Sequence, residues 1–247
     1  MAGSATIRVF STASDLVQAA AEEIVGTVNR AIGERGQCAI ALSGGETPRP
    51  VYQLLGSAPY RSLVEWSFVH FFFGDERAVP PDDPQSNFGM IARELFSRIP
   101  IPPENVHRIF GERDPSLASR EYEKTLQDFT GSEGFRFDLI LLGMGEDGHT
   151  ASLFSGTEAV KSTGSRVCAV FVPKFGKWRV TLTLECINGA RRVIFIVTGK
   201  GKAGAVAAVL GGGHARQDMP ASLVRPRDGE TIWMLDRDAA DLLNENK

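Results

Sequence analysis

Short apolar runs alternate along the chain with longer segments in which apolar positions recur every three or four residues. Ile7–Phe10, Cys38–Leu42, Val69–Phe73, Asp138–Leu142, Val167–Val172, Arg192–Thr198 and Thr231–Leu235 have the length and content of strands. Nearly continuous apolar runs of this kind suit strands buried on both faces. Between them, Asp15–Ile32, Asn87–Arg98, Leu117–Phe129 and Lys200–Leu210 carry helical periodicity. Ser14 is the predicted N-cap of the first helix, because its hydroxyl can accept from an unpaired backbone N–H. Pro48 can open a short helix through Val51, Leu54 and Leu55, since proline is tolerated in a first turn. Strands alternating with helices predict an α/β fold, a three-layer α/β/α sandwich around a mostly parallel sheet. Right-handed crossovers would bring the C-terminal ends of the strands to one edge. No long Pro/Gly/Ser linker interrupts the pattern, so residues 1–247 are expected to form one domain.

Charge and composition narrow the function classes. The 27 basic and 30 acidic residues leave a net charge of −3, which offers no electrostatic case for nucleic acid. The opening MAGSATIRVF lacks the apolar core of a signal peptide, and no apolar run approaches a membrane span. Cys38, Cys168 and Cys186 are few and far apart, without metal-ligand spacing or a disulfide framework. A cytoplasmic protein is expected, without a metal. Oligomeric state is left open, with a monomer sufficient.

The candidate chemistry sits where strands end. Ser43–Pro48, SGGETP, follows a strand and precedes a helix. Backbone N–H groups of Gly44 and Gly45, with the Ser43 and Thr47 hydroxyls, could cradle a phosphate there; a plain strand-to-helix turn has the same pattern. Gly74–Arg77, GDER, ends the aromatic strand and places Asp75 and Arg77 together, either as a catalytic cluster or as a solvated turn. The proline-rich VPPDDP that follows reads as a stiff lid. Gly143–Gly148, GMGEDG, matches G-x-G-x-x-G in form only. It lies mid-chain, with no strand ending in an acid about 20 residues on, so a dinucleotide site is not expected. His149 comes next, in a turn rich in glycine and hydroxyls, and can act as general acid or base with Asp147 to orient it. His70 reads as core or sheet edge, His107 lies in a connection, and His214 follows the Gly211–Gly213 stretch, read as a mobile loop. Arg179 and Lys202 are the cations best placed for an anion, Lys202 at a helix start directly after a strand.

Taken together, LSGGETP, FFFGDERAVPPDDPQSNFGM, FDLILLGMGEDGHTASLFSG, WRVTLT, TGKGKA and PASLVRP resemble, in this order, the 6-phosphogluconolactonase family. The resemblance spans nearly the whole chain. It implies a sugar-phosphate isomerase/deaminase-like fold, and hydrolysis of 6-phospho-D-glucono-1,5-lactone in the oxidative pentose phosphate pathway. No cofactor is implied. It assigns the phosphate to the SGGETP loop with Arg179 and Lys202, the GDER site to Asp75 and Arg77, and the acid/base to His149. The stretch VPKFGK replaces a run that is often proline-rich, and SG replaces a common PG after the histidine segment. The role of Lys174 is therefore open. A glucosamine-6-phosphate deaminase would share the fold. In that family an Asn-Glu-Pro closely follows the histidine, whereas Thr150–Phe154 here holds no acid. A non-catalytic sugar-phosphate sensor is the third reading. It would ordinarily need an output module, and the chain has no spare length for one.

Overall fold

A computed structural model describes residues 5–130, 136–211 and 218–243. Six parallel strands form the main sheet, in the order β1-β9-β8-β5-β2-β3. They are β1 (Ala5–Phe10), β2 (Cys38–Leu42), β3 (Val69–Phe73), β5 (Leu139–Leu142), β8 (Arg192–Val197) and β9 (Glu230–Asp236). β2, β5 and β8 are buried at every position. Successive side chains point to opposite faces, so both faces of these strands are covered. β1, at the sheet edge, is largely exposed.

The topology locates the site. From β2 the chain moves outward to β3, then crosses back so that β5 lies on the other side of β2, and continues in that direction to β8 and β9. The strand order reverses between β2 and β5, and ligands in open α/β sheets bind outside the strand ends at such a point. The loops leaving β2 and β5 are the SGGETP and GMGEDG segments.

A second, three-stranded antiparallel sheet has the order β4-β7-β6, with β4 (Asp75–Arg77), β6 (Val167–Val172) and β7 (Lys177–Leu182). The parallel pattern expected from sequence does not extend to Val167–Val172, which pairs with Lys177–Leu182 as a hairpin. Gly74 is the hinge between the sheets. Its N–H donates to Leu42 O of the main sheet (2.9 Å), and its carbonyl accepts from Leu182 N–H of the small one (2.9 Å).

The helices are α1 (Ala13–Arg35), α2 (Arg49–Leu55), α3 (Asn87–Ile91), α4 (Pro115–Thr130), α5 (Glu158–Lys161), α6 (Leu184–Ile187) and α7 (Ala203–Gly211). α1 is capped by Thr12 and not by Ser14. Thr12 is extended, and its Oγ1 accepts from Asp15 N–H (3.1 Å) while the Asp15 carboxylate accepts from Thr12 N–H (3.1 Å). That reciprocal capping box satisfies two otherwise unpaired donors. The helix expected over Asn87–Arg98 begins as α3, capped by Ser86, and widens into a π-helical turn over Ala92–Phe96. Asp138 lies outside β5. Its carboxylate accepts from Ala39 N–H (2.9 Å) and from Arg35 Nε (2.9 Å), so it clamps the strand entrance. Gly211 ends α7, while Gly212, Gly213 and His214 lie outside the described residues.

Candidate active site

Glu76 organises the first wall. It sits on β4, fully buried, and its carboxylate accepts from Arg77 N–H (2.8 Å), Asn87 N–H (2.7 Å), Phe88 N–H (2.8 Å) and Ser86 Oγ (3.2 Å). Burial pushes its carboxyl up, and the three backbone donors work against that shift. These bonds seal the start of α3 onto β4. Asn87 then faces Asp75, and its Nδ2 donates to the Asp75 carbonyl (2.9 Å) and to Asp75 Oδ1 (3.1 Å). The remaining Asp75 oxygen accepts from Ser152 Oγ (2.5 Å) and lies 3.7 Å from Arg179 Nη1. The partner of Asp75 is therefore Arg179, across the small sheet, and not its near neighbour Arg77. The solvated-turn reading of GDER does not hold, since Asp75 and Glu76 are both buried.

Arg77 and Arg179 face each other directly in the β4–β7 register. Two guanidiniums side by side repel unless anions lie near. Asp75 and Glu76 supply part of that compensation, while burial and Arg77 hold the Arg179 pKa below its ordinary value. Arg77 Nη1 donates to the Gln85 carbonyl in the proline-rich loop. The Nε atoms of both arginines are buried without a protein acceptor among the described residues. Unpaired buried donors are costly, and an anionic ligand would satisfy them.

The opposite wall is the turn after β5. Gly145 N–H donates to the His149 carbonyl (2.9 Å), and Thr150 Oγ1 donates to the Gly143 carbonyl (2.8 Å), folding the segment back on itself. His149 Nδ1 lies 2.5 Å from Asp147 Oδ1. An ionised carboxylate only accepts, so Nδ1 carries the proton and Nε2 keeps the lone pair of the neutral ring. Burial lowers the His149 pKa, and the Asp147 and Asp75 charges offset part of that fall. Burial works in the other direction on Asp147, but hydrogen bonds from Lys174 (2.7 Å) and His149 hold its carboxyl far below the usual carboxylate range. The imidazole stacks on Phe154 (4.1 Å, 22°). Ala151, the next residue but one, takes a left-handed conformation (φ 47°), a strained choice for a residue with a side chain.

Between the walls lies an open cleft of roughly 210 Å³. Ser43, Gly44, Gly45 and Thr47 line it from the β2 loop, Asp75 and Arg77 from β4, His149 from the β5 loop, Arg179 from β7 and Lys202 from the turn after β8. Nine of the ten residues selected from sequence thus line a single cleft, and Asp147 supports one of them from behind. Gly44 is required by close approach: a Cβ there would lie 1.7 Å from Asn87 Oδ1. Tyr52 anchors the start of the loop, its hydroxyl donating to the Ser43 carbonyl (2.7 Å). Asn87, Ser152 and Phe154 also build the site and were not selected from sequence. No local pattern marks them, because each acts on a residue distant in the chain. His70 and His107 lie elsewhere, paired by their ring nitrogens (3.2 Å) and packed among Phe72 and Phe129. Among the described residues, no group of three His, Cys, Asp or Glu side chains could hold a metal ion, and no helix is long and apolar enough to cross a membrane.

This architecture, with a strand-end cleft at the reversal of a parallel sheet and a small antiparallel sheet beside it, defines an α/β protein whose ligand site lies at that reversal. The family model described as glucosamine-6-phosphate isomerases/6-phosphogluconolactonase matches residues 11–233, and the chain belongs to that family. It is 40% identical to a 6-phosphogluconolactonase of Synechocystis over 232 residues, covering 92% of this chain and 94% of the relative. The structure of 6-phosphogluconolactonase from Trypanosoma cruzi superposes with a TM-score of 0.88 at 31% identity, covering 99% and 98% of the two chains. A monomeric glucosamine-6-phosphate deaminase superposes with a TM-score of 0.81 at 25% identity, covering 96% and 99%.

The packing of Gly145 yields a prediction. A Cβ on this residue would lie 2.0 Å from His149 Nδ1 and 2.6 Å from Asp147 Oδ1. Gly145→Ala must therefore separate that pair. Turnover is expected to fall on the order of 100-fold, the scale of a displacement of about 1 Å in a reacting geometry. The unfolding midpoint in urea should move little. A variant with wild-type turnover would show that the His149–Asp147 contact is dispensable.

Proposed function

We propose that this chain is a 6-phosphogluconolactonase, a single cytoplasmic domain that hydrolyses 6-phospho-D-glucono-1,5-lactone to 6-phosphogluconate in the pentose phosphate pathway. The observation that carries the reading is the juxtaposition, in one cleft, of an Asp-oriented histidine with two arginines whose Nε donors lack acceptors. The Ser43–Thr47 loop, Arg179 and Lys202 take the phosphate. Remote binding of that group holds the lactone in register, so its binding energy serves orientation.

His149 Nε2 takes a proton from water as the water oxygen attacks the lactone carbonyl. The carbonyl π electrons move onto oxygen, and Arg77 stabilises the oxyanion. Collapse of the tetrahedral intermediate breaks the bond from the carbonyl carbon to the ring oxygen, and the imidazolium returns its proton to that oxygen. The new carboxylic acid then ionises in neutral solution. Asp147 keeps the ring in the required tautomer, and Asp75 fixes Arg179 and Ser152. Deamination of glucosamine 6-phosphate is the weaker reading, because Thr150–Phe154 offers no acid to assist ring opening.

His149→Asn tests the assignment. On freshly prepared lactone, corrected for spontaneous opening, kcat is expected to fall about 100-fold or more in a folded variant. In the wild type, burial lowers the histidine pKa, so kcat/KM should rise with pH through a midpoint below the ordinary histidine value and plateau above it. A folded variant with wild-type kcat would remove His149 from the reaction.

Arg179→Ala and Lys202→Ala are expected chiefly to raise KM and to reduce discrimination between phosphorylated and unphosphorylated lactone. Unchanged discrimination in both variants would mean that the phosphate binds elsewhere.

A further inference from the structure

The acid/base pair is tied to a third residue from a different element. The β6–β7 hairpin turns through Pro173–Phe175 and closes at Gly176, which is left-handed (φ 59°). The tip reaches the turn after β5 in two ways. Lys174 Nζ donates to Asp147 Oδ2 (2.7 Å). The Phe175 ring meets Phe154 edge-on (5.8 Å, 75°), and Phe154 is the ring stacked on His149. Arg179 closes the arrangement, its guanidinium lying 5.0 Å from the Phe175 centroid and 5.7 Å from that of Phe154.

Asp147 therefore has its two oxygens divided. Oδ1 faces His149 Nδ1 and also accepts from the His149 N–H (3.3 Å), while Oδ2 is held by Lys174. A carboxylate held at one oxygen alone can rotate about its Cβ–Cγ bond; held at both, it is fixed in plane and angle. Lys174 is about half exposed, so the ion pair adds little to global stability. Its effect is local.

We propose that Lys174 is a positioning residue of the catalytic dyad, clamping Asp147 from the hairpin tip so that the carboxylate both orients His149 and shares its charge with an ammonium group. The proposal rests on His149 being the acid/base. The other charged groups set around the imidazole are Asp75 on β4 and Arg179 on β7; the hydrogen bond and ion pair of Lys174 go to Asp147 and to neither of these. Removing the ammonium leaves the full Asp147 charge facing the ring. That favours the imidazolium, so the His149 titration should move to higher pH and less neutral base should remain at acidic pH.

The experiment compares Lys174→Gln, Lys174→Arg and His149→Asn in the full chain. Two quantities are read: the pH profile of lactone hydrolysis, and the titration of the His149 ring by NMR. Lys174→Gln is expected to shift the acid limb and the ring midpoint together to higher pH. Its kcat/KM on the acid limb should fall about two- to fivefold, the range of a half-exposed ion pair. KM at the alkaline plateau should stay near wild type, and Lys174→Arg should restore both readouts. If His149→Asn is inactive while Lys174→Gln keeps the wild-type midpoint, the positioning role is overturned and the lactonase reading stands. A pH-independent loss in Lys174→Gln with an unmoved midpoint overturns it equally, as a structural effect. A folded His149→Asn with wild-type kcat overturns the reading beneath it.

Discussion

The site depends on one buried carboxylate. Glu76 accepts from three backbone N–H groups and one hydroxyl. Its bonds hold β4 against the start of α3. That contact places Asn87 on Asp75, which in turn holds Ser152 and stands beside Arg179. A carboxylate out of water is expensive unless its lone pairs are filled. Here two of the main-chain donors that fill them, those of Asn87 and Phe88, would themselves be unpaired at a helix start. Each party meets the other's unmet demand, and the geometry of the neighbouring site residues follows.

The hinge at Gly74 explains why a parallel sheet needs a second sheet beside it. The loops at the β2/β5 reversal provide glycine-rich backbone and a histidine, but no arginine. Redirecting the chain at Gly74 sends β4 into the antiparallel sheet, where it meets β7 with Arg77 opposite Arg179. The main sheet thus contributes the groups that approach a ligand closely, together with Lys202 after β8, and the small sheet contributes the two arginines. The hairpin that carries Arg179 also carries Lys174 and Phe175 to the back of the turn that bears His149. The two walls are therefore joined on both sides of the cleft.

Much of this was legible in the sequence, for identifiable reasons. The central strands β2, β5 and β8 are nearly uniform apolar runs, and burial on both faces leaves that signature. His149 and the glycine-rich loops were visible because they interrupt those runs. β4 was hidden, since three residues reading Asp-Glu-Arg carry no apolar signal and their burial depends on partners 10 and more residues away. β6 was recognised as a strand but expected in a parallel array, because an apolar run does not encode the direction of its neighbour. Ser14 lost the cap to Thr12 through the reciprocal bond from Asp15, which a capping residue considered alone does not reveal. Asn87, Ser152 and Lys174 needed the fold, since each acts on a group 12, 77 or 27 residues distant in the chain. Asp75, opposite Thr181 in the register, meets Arg179 as its diagonal neighbour on the same face, although Arg77 is nearer in sequence.

The central claim is that this cleft opens a phosphorylated lactone by base-assisted attack of water, rather than deaminating glucosamine 6-phosphate. The most direct measurement gives the purified chain freshly made 6-phosphogluconolactone and, separately, glucosamine 6-phosphate. It follows acid release from the first against the spontaneous rate, and ammonia release from the second. The account predicts lactone opening far above background and no ammonia. Ammonia release at a rate comparable to lactone opening, or lactone opening no faster than in buffer, would contradict it.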